Sequence, residues 1–149
     1  MADFTASEQS TTATGPRASF GLRFAAALLD GILIVIIGSL AGLIFSQALG
    51  RLINLALGLA YFTYFEGSPS GQTLGKRALN IRVVDLETGA SIGTSRALIR
   101  YVGRYISAIA CLVGYFWMLW DKEKQTWHDK LAGSVVVPTS AFPVEAWPG

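Results

Sequence analysis

Between Phe24 and Phe45 the chain carries one charge, Asp30, and between Asp30 and Glu66 it carries one more, Arg51. An α-helix rises about 1.5 Å per residue, so about 20 such residues cross the roughly 30 Å hydrocarbon layer of a bilayer. In water, two helices with so few charges would have no polar face to turn outward. The first run therefore reads as a transmembrane helix. Arg51 to Phe65 reads as a second span, closed at an interface by Tyr61, Phe62, Tyr64 and Phe65. Gln47 to Gly50 is the expected connection, which makes the two spans an antiparallel hairpin. Composition agrees: 52% of residues are hydrophobic, 15% are charged and mean hydropathy is +0.45. Soluble domains carry about 25% charge. A chain of 149 residues has too much surface for its volume to be covered in water by so few charges.

The flanks and the centre are of a different kind. Met1 to Ser19 is rich in Ser, Thr and Ala, contains Gly15 and Pro16, and is expected to be a disordered N-terminal tail. Asp3 and Glu8 stand where a signal peptide needs basic residues, so none is expected there. Residues 20–138 form the expected membrane domain and residues 139–149 a C-terminal tail. Within the domain, Glu66 to Ser95 is polar and punctuated by glycine. Ile81 to Leu86 reads as a short strand followed by a turn at Glu87-Thr88-Gly89. Ser134 to Val137, stopped by Pro138, is a second strand able to pair with it.

Arg96, Arg100 and Arg104 recur every fourth residue, on one face of a helix. That helix leads into a third apolar segment, Tyr105 to Trp120, which has no charge. Its basic face suits anionic lipid headgroups or solvent equally well. Trp117, Trp120 and Trp127 are expected to anchor the end of the segment at the headgroup level.

Cationic residues orient the whole. Arg17, Arg23, Lys76, Arg77, Arg82, Arg96 and Arg100 fall on one side of the hairpin, against Arg51 on the other. The N-terminus and the 66–98 loop are expected to be cytoplasmic, and the protein to reside in the cell membrane. A full crossing by the third segment would strand Lys122, Lys124 and Lys130 outside and keep the two strands apart. A break at Val113-Gly114 would instead make a half-embedded hairpin and keep the tail inside, which fits more of the charges. The expected fold is an all-α integral membrane domain of three hydrophobic segments, the last broken or re-entrant, with a small cytoplasmic β element.

Few residues offer chemistry. Asp30 inside a membrane helix costs about 2.5–3.5 kcal/mol on insertion scales, so it needs a partner or a wet cavity. It is either a proton- or cation-binding carboxylate or half of a structural ion pair, and the sequence leaves both open. Arg23 lies two turns earlier on the same face, about 10 Å away, where it serves as an interfacial anchor or meets a partner from elsewhere. With one cysteine, Cys111, and one histidine, His128, no disulfide, metal cluster or cofactor site is expected. Cys111 reads as a small buried apolar residue. His128-Asp129 lacks a nucleophile, so no catalytic residue and no enzyme activity are expected. Gly71 to Lys76 fails the phosphate-loop spacing, because three residues separate its glycines and Arg77 follows the lysine. Nothing clusters into a nucleic-acid surface.

Taken in order, these segments resemble the RDD family, named for one arginine and two aspartates. Arg23 and Asp30 match its opening helix. Ser70-Gly71-Gln72-Thr73-Leu74-Gly75-Lys76-Arg77, followed by Asn80 to Asp85, is similar to its central segment. Thr126 to Val137 matches its closing motif, with Asp129 as the second aspartate and Ser134 where a threonine is common. The resemblance covers Phe20 to Pro138. It implies a multi-pass membrane protein suspected of transport, with cation/proton exchange proposed for some members. On that reading Asp30 is the coupling site, and Arg23 and Asp129 set its field. The other reading is a non-transporting membrane accessory protein that binds another membrane component. Three short helices cannot enclose a shielded pathway, so transport implies a homo-oligomer or a partner subunit. In both readings the lipid bilayer is a partner, with anionic headgroups among the contacts.

Overall fold

The computed structural model describes residues 13–110 and 112–148, so the first twelve residues of the expected tail, and Cys111, lie outside the described residues. Two long helices form a hairpin, α1 (Phe20–Ile44) and α2 (Gln47–Gly67). Ser19 and Ser46 start them, each side-chain oxygen accepting from the backbone N–H three residues on, at Leu22 and Leu49. The connection is therefore Phe45-Ser46, and not Gln47 to Gly50 as the charge pattern implies. Capping by Ser46 draws those four residues into α2, and its 21 residues reach about 31 Å.

Burial along both helices follows one stripe at four-residue steps. The buried positions are Ala26, Asp30, Gly38 and Gly42 of α1 and Gly50, Gly58, Phe62 and Glu66 of α2. Gly38 and Gly42 meet Gly50, whereas Gly58 and Phe62 meet Tyr101, and Ala26 and Asp30 meet Gly75. The glycines bring the backbones together: a Cβ on Gly50 would sit 2.7 Å from the Gly38 carbonyl oxygen and 2.7 Å from the Gly42 Cα. Small residues at a crossing allow this approach, which compensates for the absence of a hydrophobic force between helices in lipid. The other faces are apolar and open, with Leu43 78% and Leu52 62% exposed.

After α2 come a short helix α3 (Leu74–Ala78), strand β1 (Ile81–Asp85) and amphipathic helix α4 (Gly93–Ile109). The chain then turns sharply. Leu112 takes a left-handed φ of 64°, and α5 (Val113–Phe116) with the 3₁₀ turn Trp117–Leu119 lies at 112° to α4. The break falls between Ile109 and Val113, at the start of the expected Val113-Gly114. Helix α6 (Trp127–Ala132) and strand β2 (Ser134–Pro138) follow. β1 and β2 pair antiparallel, with Val83 opposite Val136 and Asp85 opposite Ser134, as the sequence predicts. Two helices are long and apolar enough to cross a membrane, or three if the bent pair counts as one span.

The two-stranded sheet is buried on both faces. Ile81, Val83 and Val136 pack with Ala18, Ala26, Ile92 and Ala97; Val84, Val135 and Val137 pack with Ala13, Leu86 and Phe142. Alternation along a strand sends these two sets to opposite sides. Both expected tails thus take part. Ala13 donates its N–H to the Leu86 carbonyl and Ala18 to that of Val136, so residues 13–19 line the sheet. The C-terminal segment returns to α2 and the central loop: Trp147 stacks on Phe65 with centroids 5.3 Å apart and donates to the Gln72 carbonyl at 3.0 Å. A two-stranded sheet has too little surface to be stable alone, and these segments supply the cover.

Gly50→Val would drive a branched side chain into the α1 backbone, and the expected cost is about 1–3 kcal/mol, read as a lowered melting temperature in detergent. Gly31 has nothing within 4 Å of where its Cβ would stand, so Gly31→Ala is expected to leave the melting temperature unchanged or slightly raised. Equal effects from the two substitutions would contradict the close crossing.

Candidate functional site

The charged residues that the sequence scatters along the chain converge at one end of the helix hairpin. Glu66, the last buried residue of α2, is fully enclosed and faces three cations. Lys76 Nζ donates to its Oε1 at 2.8 Å, Arg100 Nε to its Oε2 at 3.0 Å, and Arg104 Nη2 also reaches Oε1. Arg104 lies at the same time over the Phe62 ring, 4.0 Å from its centroid. The three arginines of α4 therefore turn toward the protein's own carboxylates and carbonyls, Arg100 almost wholly enclosed and Arg96 and Arg104 partly so. Arg96 follows the same logic, pairing with Asp85 and donating to the carbonyls of Ala132 and Gly133 at 2.7 Å each.

Arg100 joins Glu66 to a second buried carboxylate, Asp129. Its Nη1 donates to Asp129 Oδ1 and, at 2.6 Å, to the Ser134 hydroxyl. A hydroxyl is all that this contact needs, which serine supplies as well as threonine. Arg23 donates to Asp129 Oδ2 at 2.6 Å. Asp129 also completes a capping box at the start of α6, where its Oδ2 accepts from Thr126 N at 3.0 Å. Burial opposes its ionisation, but the guanidinium groups of Arg23 and Arg100 outweigh burial and hold its carboxyl well below the usual range. Burial draws the Lys76 ammonium below its ordinary pKa, while Glu66 opposes that shift.

Asp30 stands apart from these ion pairs. Its Oδ1 accepts from Tyr61 Oη at 2.6 Å and from the Gly75 backbone N–H at 2.8 Å; its Oδ2 accepts from Thr73 Oγ1 at 2.6 Å. Each hydroxyl in turn accepts from a backbone N–H, Tyr61 from Leu74 and Thr73 from Lys76, which leaves its proton free to point at Asp30. Gly75 is necessary here, since a Cβ there would lie 2.9 Å from Asp30 Oδ1. Gly71, with φ 63°, accepts from Val83 N at 2.9 Å, and Gln72 Nε2 donates to the Ile81 carbonyl at 3.0 Å. The loop motif Gly71, Gln72, Thr73, Gly75 and Lys76 is thus a docking device that fastens β1 and α3 to the helix hairpin. Lys76, expected beside Arg77 at a membrane surface, is buried instead, while Arg77 covers Trp147 at 4.4 Å.

Of the residues marked by the sequence, Arg23 and Asp129 are brought together, and Asp30 joins the central loop. The sequence reading missed Glu66, Arg100 as the link between carboxylates, and Tyr61. The available signal was an acid ending the second apolar run, with three arginines at helical spacing and no carboxylate of their own. Beside the network lies a cavity of about 320 Å³ between α1, α4, α5 and α6. Among the described residues no group of His, Cys, Asp or Glu is arranged to hold a metal ion.

The RDD family model matches residues 17–133, from the segment before α1 through α6. The chain belongs to the RDD family. It is a membrane-type member, with the arginine and both aspartates of the resemblance at the sites described. The chain is 36% identical over 96 residues to a proline-rich antigen homolog of Mycobacterium tuberculosis, covering 60% of this chain and 40% of that one. It is 30% identical over 77 residues to the proline-rich antigen of Mycobacterium leprae, covering 52% and 30%. An uncharacterized protein of Rickettsia prowazekii is 34% identical over 76 residues, 51% of this chain and 39% of that one. The chain thus spans about two fifths or less of the curated relatives it matches. No solved structure matches it significantly.

Because the folded Asp129 titrates below its unfolded value of about 3.9, unfolding takes up a proton in acid. Its stabilisation is complete above about pH 5 and lost progressively as pH falls through the folded pKa. Asp129→Asn is expected to lower the melting temperature at pH 7 and to flatten its decline below pH 5. An unchanged acid profile in the variant would contradict the pairing.

Proposed function

We propose that the chain is a non-transporting accessory module of the cell membrane, inserted by α1, α2 and a re-entrant third segment. Its N-terminus, the 66–92 segment and β2 share the cytoplasmic side, where the sheet and its covering segments form a platform that binds or stabilises another membrane component. The observation that carries this reading is the occupation of Asp30. Both its oxygens are taken by Tyr61, Thr73 and Gly75. A carboxylate filled by protein donors acts as a clamp, and an ion or a travelling proton would have to displace the loop that it holds.

Two further facts support an accessory role over an exchanger. Glu66 and Asp129 are each held by buried cations from other elements, contacts that lock helices to the platform as structural buried charges do. The matching region makes up less than half of each longer relative, as a membrane module attached to other sequence would. The mycobacterial relatives are named as proline-rich antigens, a name that carries no activity to this chain.

The test is reconstitution of the purified chain into liposomes with an imposed sodium or proton gradient. Wild type and Asp30→Asn are both expected to give the flux of empty liposomes, with the substitution lowering the melting temperature by several degrees. Flux in wild type that Asp30→Asn abolishes at an unchanged melting temperature would overturn the proposal in favour of exchange through Asp30.

A further inference from the structure

The cavity beside the ion network is walled by apolar groups, yet every charged side chain lining it is a cation. Arg23, Lys76, Arg100 and Arg104 all reach it, and among the described residues no carboxylate does. These four cations share two carboxylates, Glu66 and Asp129, which lie behind them. Even counting Asp30, positive charge is in excess on the cavity side. Arg100 is 1% and Lys76 6% exposed, so water neutralises little of that excess. In so dry a setting an unbalanced cation has a strong demand for an anion.

His128 adds a second observation. It lines the cavity, is buried, and its Nδ1 has no hydrogen-bond partner. Burial and the neighbouring guanidinium groups hold its pKa well below the ordinary histidine range, so the ring is neutral. Thr126 Oγ1 already accepts from Arg23 and from the Asp129 N–H, so its own proton goes to His128 Nε2 at 2.9 Å. In a neutral ring the other nitrogen then carries the hydrogen. Nδ1 is therefore a buried donor lacking an acceptor, beside a surplus of positive charge.

The opposite end of the cavity is greasy and open. Phe24 is 60%, Leu112 48% and Phe116 40% exposed at its rim. The volume is at the small end for ligand sites, which run from about 300 to 1,000 Å³. It suits a headgroup with a short length of chain, the remainder passing out between apolar side chains.

We propose that this cavity is a site for the anionic, phosphate-bearing headgroup of a membrane lipid, held by Arg23, Lys76, Arg100, Arg104 and the free donor of His128. The acyl chain leaves through the rim at Phe24, Leu112 and Phe116 into the bilayer. A free phosphate ion offers the same charge and acceptors but has no use for the apolar rim. The site rests on the chain being embedded in the bilayer; it does not depend on whether the chain transports.

The experiment is lipid binding by the full chain in nanodiscs and in detergent, read as melting-temperature shift and by native mass spectrometry. The probes are phosphatidate, phosphatidylcholine and inorganic phosphate. Phosphatidate is expected to bind about tenfold or more tightly than phosphatidylcholine, with inorganic phosphate far weaker. Ala27→Phe and Ala108→Phe fill the cavity without touching an ion pair, and each is expected to abolish the preference while the lipid-free chain melts as wild type does. Arg23→Gln is expected to weaken phosphatidate binding as well. Equal binding of the two lipids, or a preference that survives both filling variants, overturns the site. Stabilisation by inorganic phosphate equal to that by phosphatidate overturns the lipid assignment. Vesicle flotation separates the premises: a chain that floats but shows no preference loses only this site, and one that does not float loses the embedding too.

Discussion

The buried ion-pair network of this molecule is organised by one guanidinium held out of water. Arg100 bonds Glu66 at the end of α2 and Asp129 at the start of α6, and the three groups are almost wholly enclosed. Removing charges from water is costly, and mutual attraction offsets that cost only with good geometry and satisfied hydrogen bonds. Here the geometry is supplied from four directions: Lys76 and Arg104 complete Glu66, Arg23 completes Asp129, and Ser134 takes a further bond from Arg100. Apart from Arg100 and Arg104 on α4, and Asp129 with the nearby Ser134, these residues are ten or more positions apart in sequence. Satisfying them together fixes the relative placement of hairpin, central loop, α4 and α6.

That placement accounts for the bend after α4. Because β2 pairs with β1, and α6 is tied to α2 through Arg100, the chain after α4 must return to the end of the hairpin from which it came. The sharp turn between Ile109 and Val113 is the backbone's response to this requirement. Asp30 performs a parallel task one level deeper, holding the Thr73–Gly75 corner against α1. The arginine and two aspartates thus divide into an ion pair, Arg23–Asp129, and a separate clamp. The cavity follows from the same arrangement, since cations drawn in to serve two carboxylates leave charge over on the side facing α5.

Much of this was legible in the residues. Long uncharged runs marked the two apolar helices, and short β-branched runs bounded by turn residues marked both strands, so hairpin and sheet followed from local pattern. The four-residue spacing of Arg96, Arg100 and Arg104 identified one helical face. Its direction did not follow, because the partners Asp85, Glu66 and Asp129 are brought near only by tertiary structure. Residues 13–19 looked like a tail since Ala13 and Ala18 carry no apolar periodicity; they are buried because small residues fit against a sheet. Trp147 and Phe142 were isolated aromatics, whose docking sites on Phe65 and Val84 arise from the fold. At the hairpin turn, Ser46 was the readable cap and the charge at Arg51 a misleading boundary.

The most direct test of the account is a double-mutant cycle on Glu66 and Arg100, using Glu66→Gln, Arg100→Gln and the pair, with unfolding free energy measured in a fixed detergent. Either single change strands a buried partner, so the double variant is expected to be more stable than the sum of the singles requires, with a coupling of about 1–3 kcal/mol. Strictly additive effects would mean that the two charges do not meet, and the organisation built on Arg100 would fall with them.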